Sequence, residues 1–209
     1  GNQLSLSKLQ ILENVRAIQE RNQIERVPEL QGGDYINGMN FTTEMETGTG
    51  KTYVYLRSIF ELNQKYGFKK FIIVVPSVAI REGVYKNLEI TKEHFAAFYN
   101  NPAYRYFIYD SSRISDLRQF SGSNQMEIMI INIDSFNKDA NVMFKEMDQL
   151  SGRAPIEFVS STTPIVIMDE PQNMEQEASR NAISNLNPLC TLRYSATHRN
   201  TYNLIYKLD

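Results

Sequence analysis

The sequence predicts an α/β domain with a mostly parallel sheet and helices on both of its faces. Three observations carry that expectation. Short unbroken apolar runs, such as "FIIVVP" and "IVIM", are rich in β-branched residues and suit strands buried on both sides. These runs alternate with segments of helical period, the pattern of strands joined by crossover helices. The stretches richest in Gly, Lys, Asp, Glu, Ser and Thr follow the apolar runs, at the carboxyl ends where open parallel sheets hold ligands.

Taken in order, residues 1–39 read as an amino-terminal helix and loop, and 40–209 as the α/β domain. The opening Gly-Asn is assigned no structural weight. Leu6, Leu9, Leu12, Val15 and Ile18 recur at three-residue steps, one face of an amphipathic helix. The Gly-, Asn- and Pro-rich stretch 27–40 reads as loop. "NFTTEM" is a strand, followed by a glycine loop and a helix "KTYVYLRSIFELNQKYG" stopping near Gly67. "KFIIVVP" is a strand and "VAIREGVYKNLEITKEHF" one helix. "YRYFIYD" is a strand, in which the alternation of Tyr104 and Tyr106 reads as sheet packing. "SRISDLRQF" is a short helix or loop, "EIMIINI" a strand, and "DSFNKDANVMFKEMDQL" loop then helix. "SGRAPIEFVSSTTP" reads as an irregular linker, "PIVIMDE" as a strand, "MEQEASRNAISNL" as a helix and "CTLRYSAT" as the final strand.

The composition narrows the function classes. The chain has 209 residues, 42% apolar and 22% charged, enough to bury one sizeable core. A net charge of −2 excludes a bulk electrostatic pull toward nucleic acid but leaves room for a local basic strip. One cysteine, Cys190, allows neither an intrachain disulfide nor a Cys-based metal cage, and a lone thiol fits a reducing, cytoplasmic setting. His94 and His198 are too few for a metal cluster. The apolar runs are too short to span a bilayer, and no signal peptide is legible.

Residues 43–52, "TEMETGTGKT", carry the sharpest signal. They close a phosphate-binding loop, G-x-x-x-x-G-K-[ST], with Met45 where the general pattern has glycine. Glu46, Thr47, Gly48, Thr49 and Gly50 would curl backbone N–H groups around a triphosphate, and the helix opening at Lys51 would add its positive end. Lys51 would reach the β- and γ-phosphates, and the Thr52 hydroxyl would bind Mg²⁺. The flexible Met45 thioether can fold away from the phosphates.

"TPIVIMDEPQ" ends a buried strand in two carboxylates. Asp169 would hold Mg²⁺, and Glu170, with Gln172 nearby, would orient and activate an attacking water on ATP. Without a cation, one of two packed acids tends to keep its proton. A helix start decorated with acids would look the same if it stood alone.

The order Gly-Lys-Thr, Asp-Glu-x-Gln, Ser-Ala-Thr resembles the first motor domain of superfamily 2 helicases and translocases, a RecA-like P-loop NTPase fold. The resemblance implies that Ser195, Ala196 and Thr197 couple the acidic motif to the nucleic-acid path, although such a strand end also satisfies its own backbone. It further implies DNA contacts at Ser77 and Arg81 in "VVPSVAIREGV" and at Ser135, Asn137 and Lys138 in "INIDSFNK". Ser77 is equally an ordinary helix cap, and the second stretch an ordinary helix start. Gln31, upstream of the loop, stands where helicases often keep an adenine-reading glutamine.

Residues 45–84 and the "DEPQ" motif narrow the resemblance to the ATPase (Res) subunit of type III restriction enzymes, in which "METGTGKT" is the shared form of the loop. What the family implies is an ATP- and Mg²⁺-dependent motor on double-stranded DNA, two RecA-like domains, a nuclease domain, a methylating modification subunit as partner, and a bacterial cytoplasmic location. The sequence stops soon after Ser-Ala-Thr, so the expectation is the first motor domain alone, slow in hydrolysis and weak on DNA. A superfamily 2 motor unrelated to restriction, or a nucleotide-binding interaction module, would share much of the pattern.

Overall fold

The computed structural model describes residues 1–32 and 39–208; the part of the expected loop at 33–38 lies outside the described residues. Seven strands form one sheet in the order β3-β4-β2-β5-β6-β1-β7, and every neighbouring pair is parallel. The strands are β1 (Asn40–Met45), β2 (Lys70–Val75), β3 (Tyr104–Ile108), β4 (Met126–Asn132), β5 (Ile165–Asp169), β6 (Cys190–Ser195) and β7 (Leu204–Leu208). The order sets β5 and β6 between β1 and β2, so the loops leaving β1, β5 and β6 open side by side.

Both faces of the sheet are covered, as the continuous apolar runs require. Phe71, Ile73 and Val75 of β2 join one core with α2 (Lys51–Tyr66), α3 (Val78–Ile90) and α4 (Lys92–Phe98). Ile72 and Val74, one residue out of phase, join the opposite core with α5 (Ile114–Gly122), α6 (Ile133–Lys138), α7 (Ala140–Met143), α8 (Pro155–Ser160) and α9 (Glu177–Asn185). Tyr104 and Tyr106 pack against the first core, two residues apart on one face of β3.

The first helix, α1 (Lys8–Arg21), forms as expected, but its buried residues are Ile11, Val15 and Gln19. Four-residue steps stay on one helical face, whereas strict three-residue steps drift off it, and Leu9 is 63% exposed. Its start is a capping box between Ser7 and Gln10.

Four other readings change. The long helix after β2 breaks at Thr91, whose hydroxyl donates to the Asn87 carbonyl and ends α3. After β4, α6 begins at once because Asn132 caps it, accepting from the Ser135 N–H at 3.0 Å; the order is helix first, then irregular chain. The supposed linker contains α8, opened by Pro155 at its first turn with Glu157 bonded back to the Ala154 N–H. The seventh strand, β7, extends the sheet beyond β1.

Asn2, given no weight above, is buried. Its side chain accepts from the N–H groups of Lys69 and Lys70 and donates to the Lys70 carbonyl, while its backbone N–H donates to the Thr162 carbonyl. It ties the start of β2 to the turn before β5. Among the described residues no helix is long and apolar enough to cross a membrane.

Candidate nucleotide and nucleic-acid site

The loop 46–50 joins β1 to α2. Gly48 and Gly50 take left-handed dihedrals, with φ of 85° and 84°. No neighbour lies within 4 Å of a Cβ built on either, so the demand for glycine there is one of backbone conformation. The Thr49 N–H and hydroxyl both donate to the Glu46 carbonyl, at 3.3 and 2.6 Å, and curl the loop. Residues 46–50 are exposed, whereas Met45 is 3% exposed within the α2-side core. The bulky residue is thus spent on the core, and the loop beyond it stays open.

Opposite the loop, β5 ends in Asp169 and Glu170. The Lys51 ammonium bonds to Glu170 and lies 3.9 Å from Asp169 Oδ1. Glu170 sits in left-handed backbone, φ 55° and ψ 56°, unusual for a residue with a side chain. Its carboxylate also receives the Gln172 amide at 2.6 Å and the Ser195 hydroxyl at 2.9 Å. Burial pushes this carboxyl up, but the bonds from Lys51, Gln172 and Ser195 outweigh it and hold it below the usual range. Asp169 behaves in the opposite way. Burial raises it, the Lys51 charge only partly offsets that, and the adjacent Glu170 raises it further.

Ser195 ends β6 and reaches Glu170 and, at 2.7 Å, the side-chain oxygen Oε1 of Gln172; its own oxygen accepts the Thr197 N–H at 3.1 Å. Ala196 forms the turn between them. The registers Glu44↔Ser195 and Asp169↔Tyr194 place the three strand ends in line. Lys51, Asp169, Glu170, Gln172 and Ser195 therefore meet in one cluster, with Thr52 beside Lys51 on the first turn of α2.

Two contributors were not singled out from the sequence. The Tyr55 hydroxyl lies 3.2 Å from Asp169 Oδ2; its place one helical turn after Lys51 was the available signal. Arg193, 1% exposed, donates to Glu175 at 2.5 Å and holds the turn carrying Gln172 against β6.

The DNA candidates divide. Arg81 and Ser135 line one cavity of about 390 Å³, together with Tyr109, Asp110, Arg113 and Asp139. Arg81 also donates to Glu82 at 2.7 Å. Ser77 caps α3 by accepting the Ile80 N–H. Asn137 turns to the Ser179 hydroxyl at 3.4 Å, and Lys138 is exposed at the end of α6. Gln31 is engaged elsewhere: its side-chain oxygen accepts the Asn203 N–H at 3.0 Å, and its backbone N–H and carbonyl both bond to the Asn203 amide. His198 bonds to the Thr43 carbonyl at 3.1 Å, and His94 to the Tyr53 hydroxyl at 2.8 Å.

A parallel sheet with a Gly-Lys-Thr loop facing an acidic strand end is the architecture of a RecA-like P-loop domain, and the comparisons agree. A solved type ISP restriction-modification enzyme, LlaGI, in a nuclease-deletion form with a DNA substrate mimic, shares the fold over the whole chain. The TM-score is 0.55 at 14% identity, and the match covers 20% of that protein. The family model for the type III restriction enzyme res subunit matches residues 9–200, and the chain belongs to that family. It is 32% identical over 191 residues to the StyLTI Res subunit of Salmonella typhimurium, covering 78% of this chain and 18% of the relative. It is 30% identical over 228 residues to the EcoPI Res subunit of Escherichia phage P1, covering 99% and 23%. The chain thus spans about a fifth of the length of these relatives.

Proposed function

We propose that this domain binds and hydrolyses ATP with Mg²⁺ as the first motor half of a restriction system. The reading rests above all on the cluster in which Lys51 of the glycine loop meets the two strand-end carboxylates. Asp169 Oδ1 is buried without a hydrogen-bond partner, and a carboxylate together with a threonine hydroxyl would be an oxygen donor set that suits Mg²⁺. Among the described residues no group of three or more His, Cys, Asp or Glu side chains gathers, so Mg²⁺ would be held by Asp169, Thr52 and the phosphates themselves.

Bound Mg²⁺ would neutralise charge on the phosphate oxygens. The residues do the rest. Lys51 exchanges Glu170 for phosphate. Glu170 then loses one of the bonds that hold its carboxyl down, and becomes a better acceptor for the proton of an attacking water. Gln172 and Ser195 keep it oriented through that exchange. Ser195 and Thr197 carry the change to the strand-end turn, the proposed coupling step.

DNA would run over the carboxyl ends of β2, β3 and β4, where Arg81 and Ser135 share their cavity. We read double-stranded DNA as the substrate, and a modification subunit, a second motor domain and a nuclease domain as partners, in a bacterial cytoplasm; the relatives' names as restriction-modification enzymes and the DNA substrate mimic bound by LlaGI support the DNA and the modification partner. The test is ATP turnover by this chain with and without DNA. Slow turnover is expected, since an arginine supplied in trans is worth about 10³–10⁵ in such enzymes. A Lys51→Ala variant that still binds ATP as the parent does would defeat the reading.

A further inference from the structure

We propose that Tyr55 is a positioning residue for Asp169, holding one carboxylate oxygen so that the other is left for Mg²⁺. The inference rests on the nucleotide-site reading above and extends it to a residue outside both sequence motifs.

Asp169 is the last residue of β5, and its backbone is fixed by pairing with Tyr194. Its side chain is 6% exposed, so water contributes little to its orientation. Tyr55 bonds to Oδ2, whereas Oδ1, 3.9 Å from the Lys51 ammonium, has no hydrogen-bond partner. The two oxygens are thereby made different: one is anchored to the protein, the other is available.

Tyr55 is well placed to anchor. It is completely buried, and its ring packs at 5.6 Å against Tyr194, the strand neighbour of Asp169. Tyr194 in turn reaches the Ser58 hydroxyl at 3.4 Å, so α2 meets β6 on both sides of the tyrosine. The ring alone would serve the core, and a phenylalanine would fill the same space. A hydroxyl buried in a dry core is costly unless it is bonded, and this one donates to Asp169.

The experiment is a Mg²⁺ titration of a fluorescent ATP analogue on this chain, comparing the parent with Tyr55→Phe. Circular dichroism and thermal melting establish that the variant is folded. The variant should bind the analogue without Mg²⁺ as the parent does, but need about tenfold more Mg²⁺ for the metal-dependent gain, the usual scale for a residue that orients a metal ligand. In an Asp169→Asn background the same change should add nothing, because its route is removed. Tyr194→Phe, which removes the neighbouring hydroxyl, should leave the Mg²⁺ midpoint unchanged. An unshifted midpoint in Tyr55→Phe, or a full additional shift in the Asp169→Asn background, overturns the proposal while the nucleotide site stands. A parent chain that binds no analogue, or shows no Mg²⁺ response, overturns the site and this proposal together.

Discussion

The carboxyl edge of the sheet has two halves that differ in kind. Beyond β1, β5 and β6, the marked side chains bond to one another: Lys51 to Glu170, and Glu170 to Gln172 and Ser195. Beyond β2 and β4, the marked side chains mostly bond to their own helices, as Ser77 does in capping α3. Only Arg81 and Ser135 there converge on a shared cavity. A site for a small charged ligand is assembled in advance by mutual bonds. A track for a polymer needs scattered groups, each of which also has a local structural use.

The largest effects should fall on the first half. Glu170→Gln should keep nucleotide binding and lower turnover by about 10²–10⁴, measured as phosphate release. Lys51→Ala should weaken binding about 100-fold, roughly 2.7 kcal/mol, by calorimetric titration. If the two variants behave alike, the division between binding and activation inside the cluster is lost.

On the second half, Arg81→Ala should reduce the salt dependence of DNA binding by about one phosphate contact, read from a titration series in salt. An unchanged slope would make Arg81 a partner of Glu82 alone and leave Lys138 as the cation of this set on that half.

Asp169→Asn should raise stability at neutral pH by about 1 kcal/mol, since a buried, incompletely paired carboxylate is costly. The sign follows from its raised pKa. The folded form takes up a proton more readily than the unfolded chain, so the penalty on folding is full above the raised folded value, shrinks as pH falls through it, and is gone below the ordinary value of 3.8. Denaturant melts of parent and variant should therefore converge in acid. Glu170 has the opposite sign: its lowered pKa stabilises the fold above the ordinary 4.5 and is lost as pH falls through the folded value. The smallest effect should be that of Ser77→Ala, about 1 kcal/mol or less of stability with the Arg81-dependent DNA slope intact.

Much of this was legible because burial writes itself into sequence. β2, β4 and β5 were readable because strands covered on both faces are apolar almost throughout, and β1, β3 and β6 because their mixed runs alternate with loop and helix signals. β7 escaped because it is an edge strand with half-exposed and exposed residues, and "LIYKL" has no unbroken apolar run. The glycine loop and acidic pair were legible because few residue types can do their chemistry. Tyr55 was not, because a buried tyrosine reads as core until the partner of its hydroxyl is known. Asn2 was invisible for a similar reason: its worth lies in the backbone groups of Lys69, Lys70 and Thr162, far away in the chain. Gln31 shows the converse, a residue in a suggestive place whose bonds run to Asn203.

β7 also has a mechanical meaning. It lies parallel to β1 with Leu208 beside Met45, the residue immediately before the phosphate loop. Tension along β7 would load the β1–β7 ladder in shear, where the hydrogen bonds share the force and do not open one by one. A pull arriving at Leu208 would pass across that ladder to Met45, at the foot of the glycine loop. The outermost strand of the sheet is in this sense a lever arm one residue away from the glycine loop.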